Sequence, residues 1–96
     1  MTPTADEQRG IDWGTERLNA LAAAKGMRLG IRWHQDVDRG EYAITANVSG
    51  VSFTATMDAD DLADCGRGDQ VQRASAEIKF GFTIDALQRR LSSPSN

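Results

Sequence analysis

Cysteine occurs once, at Cys65, so no intramolecular disulfide can staple this chain, and its fold does not depend on an oxidising compartment. Histidine also occurs once, at His34. Metal centres take three or four side chains of fixed geometry, so this pair supplies no metal site, and no cofactor is expected. Lysine stands only at Lys25 and Lys79, and the formal net charge is −3. The cationic surface that dominates nucleic-acid affinity is therefore largely missing. No run of about 18 apolar residues exists for a membrane span. Neither GxGxxG nor GxxxxGK[ST] occurs, so no glycine-rich phosphate cradle is present. Residues 1–10 have neither a basic start nor an apolar run of about 7 residues, so a cytoplasmic location is expected, with no membrane contact. The few lysines, the aspartates and the Ala and Gly content suggest a GC-rich bacterial source.

What remains is a chain of 96 residues with the balance of apolar and charged groups that a single globular domain needs. The expected organisation is a flexible arm over 1–10, one α+β domain over 11–92 and a flexible tail over 93–96. Leu18, Leu21 and Ala22 recur at helical spacing behind Asp12, a residue able to cap a helix, and Lys25-Gly26 reads as a stop. The spacing predicts a helix over 12–25. Leu29, Ile31 and Trp33 then alternate with Arg28, Gly30, Arg32 and His34, the period of a half-buried strand. Asp36-Val37-Asp38-Arg39-Gly40 has the composition of a turn. Tyr42, Ile44, Ala46 and Val48 define a second strand, Ser49-Gly50 a tight turn, and Val51, Phe53, Ala55 and Met57 a third. These form a three-stranded antiparallel meander whose other face is polar.

The last third carries conflicting periods. Asp58 to Asp64 reads as a capped helical turn broken at Gly66-Arg67-Gly68. Val71, Ala74 and Ile78 fit one helical stripe, and Phe80, Ile84, Leu87 and Leu91 fit another. The expectation is a helix over 69–79, a break or kink at Gly81 and a helix over 83–92, packed on one sheet face in αβββα order. Ala74, Ala76, Ile78, Phe80, Phe82 and Ile84 also alternate at period two, which makes an extra strand near 76–82 the alternative.

No residue is nominated as catalytic. A Cys65–His34 pair would need a thiolate, and Asp61 and Asp64 beside Cys65 oppose its ionisation. Asp36-Val37-Asp38 resembles the opening of a calcium loop, but no third acidic or amide ligand follows and Arg39 would repel the cation. Arg67-Gly68-Asp69 resembles an integrin-binding motif and is explained more simply as a loop with a helix cap. Asp58, Asp60, Asp61 and Asp64 suit the start of a helix. The order helix–three strands–helix resembles that of double-stranded-RNA-binding domains, whose final helix begins lysine-rich; here that stretch is Arg67 to Arg73 without a lysine. Fold order and low pI also resemble small acidic secretion chaperones. The expected function is a non-catalytic protein–protein interaction module, binding a protein partner or itself. Phe80, Phe82, Leu87 and Leu91 are its expected contact residues, since one small sheet face cannot cover all of them. A nucleic-acid face at Arg28, Arg32 and His34 is the alternative.

Overall fold

The structure, a computed structural model, describes residues 2–92; the tail expected over 93–96 lies outside the described residues. Among the described residues the order is α1 (Ala5–Ala23), β1 (Gly30–Asp36), β2 (Glu41–Val48), β3 (Val51–Asp58), α2 (Ala59–Gly66) and α3 (Gln70–Ser92). The strands form one antiparallel sheet in the order β1-β2-β3, so the α+β meander is as the alternation predicts.

The turn between β2 and β3 holds two residues, Ser49 and Gly50, with φ of 50° and 83°. This is the geometry that matches the right-handed twist of a hairpin, and it sets Val48 opposite Val51. Tyr42, Ile44 and Ala46 from the central strand are buried beneath the helices, with Met57 beside them. Leu18 and Ala22 of α1, Leu62 and Cys65 of α2, and Ala76, Phe80 and Ile84 of α3 complete the core.

The first helix begins earlier than expected. Thr4 caps it: its hydroxyl accepts from the Glu7 amide at 3.1 Å, and the Glu7 carboxylate accepts from the Thr4 amide at 3.2 Å. Most of the segment expected as a flexible arm over 1–10 is therefore helix, and Asp12 is not a cap but an interior residue. The buried line of α1 is Gly10, Gly14, Leu18 and Ala22, spaced by four, and two of its members are glycine. Those two glycines let neighbouring backbone and rings approach: a Cβ at Gly10 would stand 2.2 Å from the Leu62 carbonyl oxygen, and one at Gly14 would stand 3.0 Å from the Trp33 ring. Trp33 also donates its indole N–H to the Thr15 hydroxyl at 2.9 Å, which ties β1 to α1.

The C-terminal expectation is corrected at two points. Residues 70–92 form one continuous helix, without a break at Gly81 and without a strand near 76–82. A mid-helix glycine costs about 1 kcal/mol relative to alanine, which packing on both sides of the position outweighs. Ala76, Phe80, Thr83, Ile84 and Leu87 make the buried stripe on the core. Arg17 of α1 and Glu77 of α3 meet at 2.5 Å, and Arg73 donates from Nε to the Cys65 carbonyl at 2.8 Å while its guanidinium lies 5.0 Å above the Trp13 ring.

Candidate functional site

The four aromatic and leucine side chains expected to meet a partner separate into two groups. Phe80 is 1% exposed and Leu87 is 0% exposed, so both belong to the core and neither forms a contact surface. Phe82, at 67% exposure, and Leu91, at 39%, are open to solvent. Residues two apart on a helix point roughly 200° apart, so Phe80 and Phe82 cannot share a face. Phe82 instead shares its exposed side with Ile78, one turn earlier and 64% exposed, a residue the contact set above does not include.

Ile78 and Phe82 overhang the free edge of β3. The two-residue turn makes Val48 and Val51 a hydrogen-bonded pair, and the antiparallel ladder alternates from there. Phe53, Ala55 and Met57 thus direct their peptide groups to β2. Ser52, Thr54 and Thr56 direct theirs outward, away from the sheet. Two of these outward carbonyls are occupied by α3: the Lys79 ammonium donates to the Thr56 oxygen at 2.5 Å, and Arg90 donates to the Ser52 oxygen. Arg90 also lies over the Phe53 ring, 5.4 Å from its centre. Along this edge runs a groove of about 550 Å³ with Thr54, Ala55 and Thr56 as one wall, and Ile78, Lys79 and Phe82 as the other. Its chemistry is a strand edge without a neighbouring strand beside an apolar shelf, with the Lys79 ammonium in one wall and Arg90 over Phe53 at its margin.

The polar sheet face is a different environment. Arg32 and His34 are exposed there on β1, and Arg28 is exposed ahead of the strand. The register sets Arg32 opposite Thr45, whose hydroxyl lies 3.0 Å from that of Thr54 on β3, and sets His34 opposite Ala43. The same face ends in a row of carboxylates, Asp36 opposite Glu41 and Glu41 opposite Asp58. Three acids share the surface with Arg32, so it does not concentrate positive charge for a phosphate backbone. The acidic row is not a metal cluster; among the described residues no group of three His, Cys, Asp or Glu side chains is arranged to hold an ion. Arg39 meets Asp36 at 3.9 Å from the turn.

The sheet also separates the two residues weighed as a nucleophile pair. His34 is exposed on the polar face, while Cys65 is buried among the helices on the other. Burial pushes the Cys65 thiol up first; Arg73 opposes this, and Asp61, Asp64 and Asp69 add to it. Arg67-Gly68-Asp69 serves the helix junction: Arg67 bonds Asp6 at 3.0 Å and also Asp64, and the Asp69 carboxylate accepts from the Gln72 amide at 3.0 Å. Tyr42 donates its hydroxyl to Glu7 at 2.8 Å. Burial, the hydrogen bond to Glu7 and the charge of Glu7 together push its pKa up to about 12.

No protein-family model, curated protein or solved structure matches this chain. No helix among the described residues is long and apolar enough to cross a membrane.

Proposed function

We propose that this chain is a non-catalytic protein-binding module that docks its partner in the groove between β3 and α3. The observation that carries the reading is the coincidence of two features in one place. Ile78 and Phe82 are large, apolar and mostly exposed, and they stand directly beside outward-facing strand backbone. An edge strand offers main-chain hydrogen bonds to an added strand, and adjoining apolar side chains supply the contact area that makes such addition selective. The chemistry-bearing residues support a non-catalytic role: Cys65 is buried with its thiolate disfavoured, and His34 is on the opposite side of the sheet. A cytoplasmic, bacterial setting fits the composition. The exposed Arg28, Arg32 and His34 remain the alternative surface, for nucleic acid, which the three carboxylates on the same face oppose.

The test is a selection from a display library of random folded and unfolded fragments, with Phe82→Asp as the counter-screen. Fragments that bind the chain and fail to bind Phe82→Asp, with its circular dichroism and melting unchanged, are the expected result. Binders that ignore the substitution, or no binders at all, would overturn the reading.

A further inference from the structure

The groove constrains what lies in it, and we infer that its occupant is an extended, acidic segment of another protein, added to β3 as a fourth strand. This rests on the groove being the docking site proposed above, and it names the chemistry of the partner. Three observations carry it.

The first is the backbone. Ser52, Thr54 and Thr56 face outward, so an added strand pairs with these three residues. At about 3.4 Å per residue they span roughly 14 Å, the length of a short extended segment. The second is the shelf. Side chains of the added strand that lie opposite Phe53 and Ala55 point toward α3, where Ile78 and Phe82 stand one helical turn apart. Two apolar residues at positions i and i+2 fit that pair, since the strand spacing of about 7 Å is close to the helical spacing of about 6 Å.

The third is charge. Lys79 at the Thr56 end and Arg90 at the Ser52 end are cations holding neutral carbonyls. No acidic side chain lines the groove; Asp85 lies a turn beyond Phe82 on α3, followed by Arg89 and Arg90. An incoming strand takes over the β3 carbonyls and releases both cations, which then need new partners. Carboxylates flanking the two apolar residues supply them.

The same charges argue against a second copy of this chain. An antiparallel β3–β3 pairing centred on Thr54 sets Thr56 of one copy opposite Ser52 of the other. Lys79 of one copy then meets Arg90 of the other, at both ends of the interface. Like charges so placed repel, whereas an acidic strand is attracted.

The probe is a capped, fluorescein-labelled peptide, Glu-Thr-Val-Thr-Val-Thr-Glu, which reads the same in both directions and so does not depend on strand polarity. Fluorescence anisotropy against the full chain should show saturable binding at low salt. A Lys-Thr-Val-Thr-Val-Thr-Lys peptide should bind roughly tenfold more weakly, the effect of two exposed charge pairs reversed in sign. That gap should narrow as salt rises. Methylating the amide nitrogen of the peptide's central threonine removes the donor facing Thr54 and should abolish binding without altering the protein. Equal binding of the two peptides, lost in Phe82→Asp, would overturn the acidic preference and leave the docking site standing. Failure of both peptides, or indifference to the methyl group, would overturn the added strand even if the library selection succeeds. A chain that dimerises through β3 and excludes the peptide would replace the acidic segment with a second copy.

Discussion

Alanine at three glycines should change stability in opposite directions, and the sign is set by what the new methyl group meets. Gly10 lies inside α1, where helix propensity alone favours alanine by about 1 kcal/mol. The crossing of α1 and α2 reverses that sign. A Cβ at Gly10 would sit 2.2 Å from the Leu62 carbonyl oxygen and 2.9 Å from its side chain. At Gly66 the corresponding distances are 1.9 Å to the Asp6 oxygen and 2.8 Å to the Gly10 nitrogen, all backbone. Neither helix can give way by rotating a side chain, so the two must part by on the order of 1 Å. Parting them loosens Leu62 and Cys65, both in the core. Overpacking of this kind costs about 1–3 kcal/mol, and clashes with backbone put these two at the upper end, so after the propensity gain Gly10→Ala and Gly66→Ala are destabilised by about 2 kcal/mol net. Gly81 is the internal control, because nothing lies within 4 Å of a Cβ there. Gly81→Ala should gain about 1 kcal/mol, a rise of roughly 4–8 °C in Tm for a domain this size. Urea unfolding followed by the fluorescence of Trp13 and Trp33 measures all three. A Gly10→Ala variant as stable as the parent would show that α1 and α2 do not cross at these glycines.

Four further outcomes follow from the same contacts. Phe80→Ala should cost about 3–5 kcal/mol in urea unfolding, whereas Phe82→Ala should stay within about 0.5 kcal/mol, since one is buried and the other exposed. Glu41→Lys places a cation between Asp36 and Asp58 and should stabilise by about 0.5 kcal/mol at low salt, fading as salt is added. Tyr42, with its pKa raised from the usual 10 to about 12, favours the folded state fully below pH 10, and that contribution is lost as pH rises toward 12. Its loss should amount to on the order of 2 kcal/mol, and Tyr42→Phe should flatten the alkaline limb of a stability–pH curve. Cys65 should react with a thiol reagent only at the rate at which the chain opens, so adding urea below the midpoint should accelerate labelling; rapid labelling without urea would contradict its burial.

The sheet was legible in the residues because period two is a strong signal when every inward position is apolar. Tyr42, Ile44 and Ala46 alternate without exception, and Ser49-Gly50 fits a single tight turn. The start of α1 was hidden because its buried stripe opens with Gly10 and Gly14, which carry no hydrophobic side chain to count. Thr4 followed three residues later by Glu7 was the available sign, the sequence form of a capping box. In α3 the alternation of Ala76, Ile78, Phe80, Phe82 and Ile84 is two helical stripes interleaved: Ala76, Phe80 and Ile84 line the core, while Ile78 and Phe82 line the groove. A helix with apolar residues on two sides mimics a strand in sequence. That second stripe is itself the mark of the candidate site, and only the fold reveals that the free edge of β3 runs beside it.

The two cations on the β3 edge admit a last test, because charge at an edge strand also guards against unwanted pairing. Each covers one outward carbonyl, at Ser52 and at Thr56, and the Thr54 carbonyl between them has no partner strand among the described residues. If they act both as guard and as selector, removing them should free the edge for the pairing they forbid. The double variant Lys79→Ala, Arg90→Ala lacks the like charges that keep two copies apart, yet keeps Ile78, Phe82 and the open backbone. It should self-associate as concentration rises, seen as a growing dimer fraction in sedimentation velocity, while the parent stays monomeric over the same range. Adding Phe82→Asp to the double variant should restore the monomer. A double variant that remains monomeric would mean that repulsion between Lys79 and Arg90 is not what excludes a second copy. The choice of an acidic partner over a second copy would then lose its electrostatic basis.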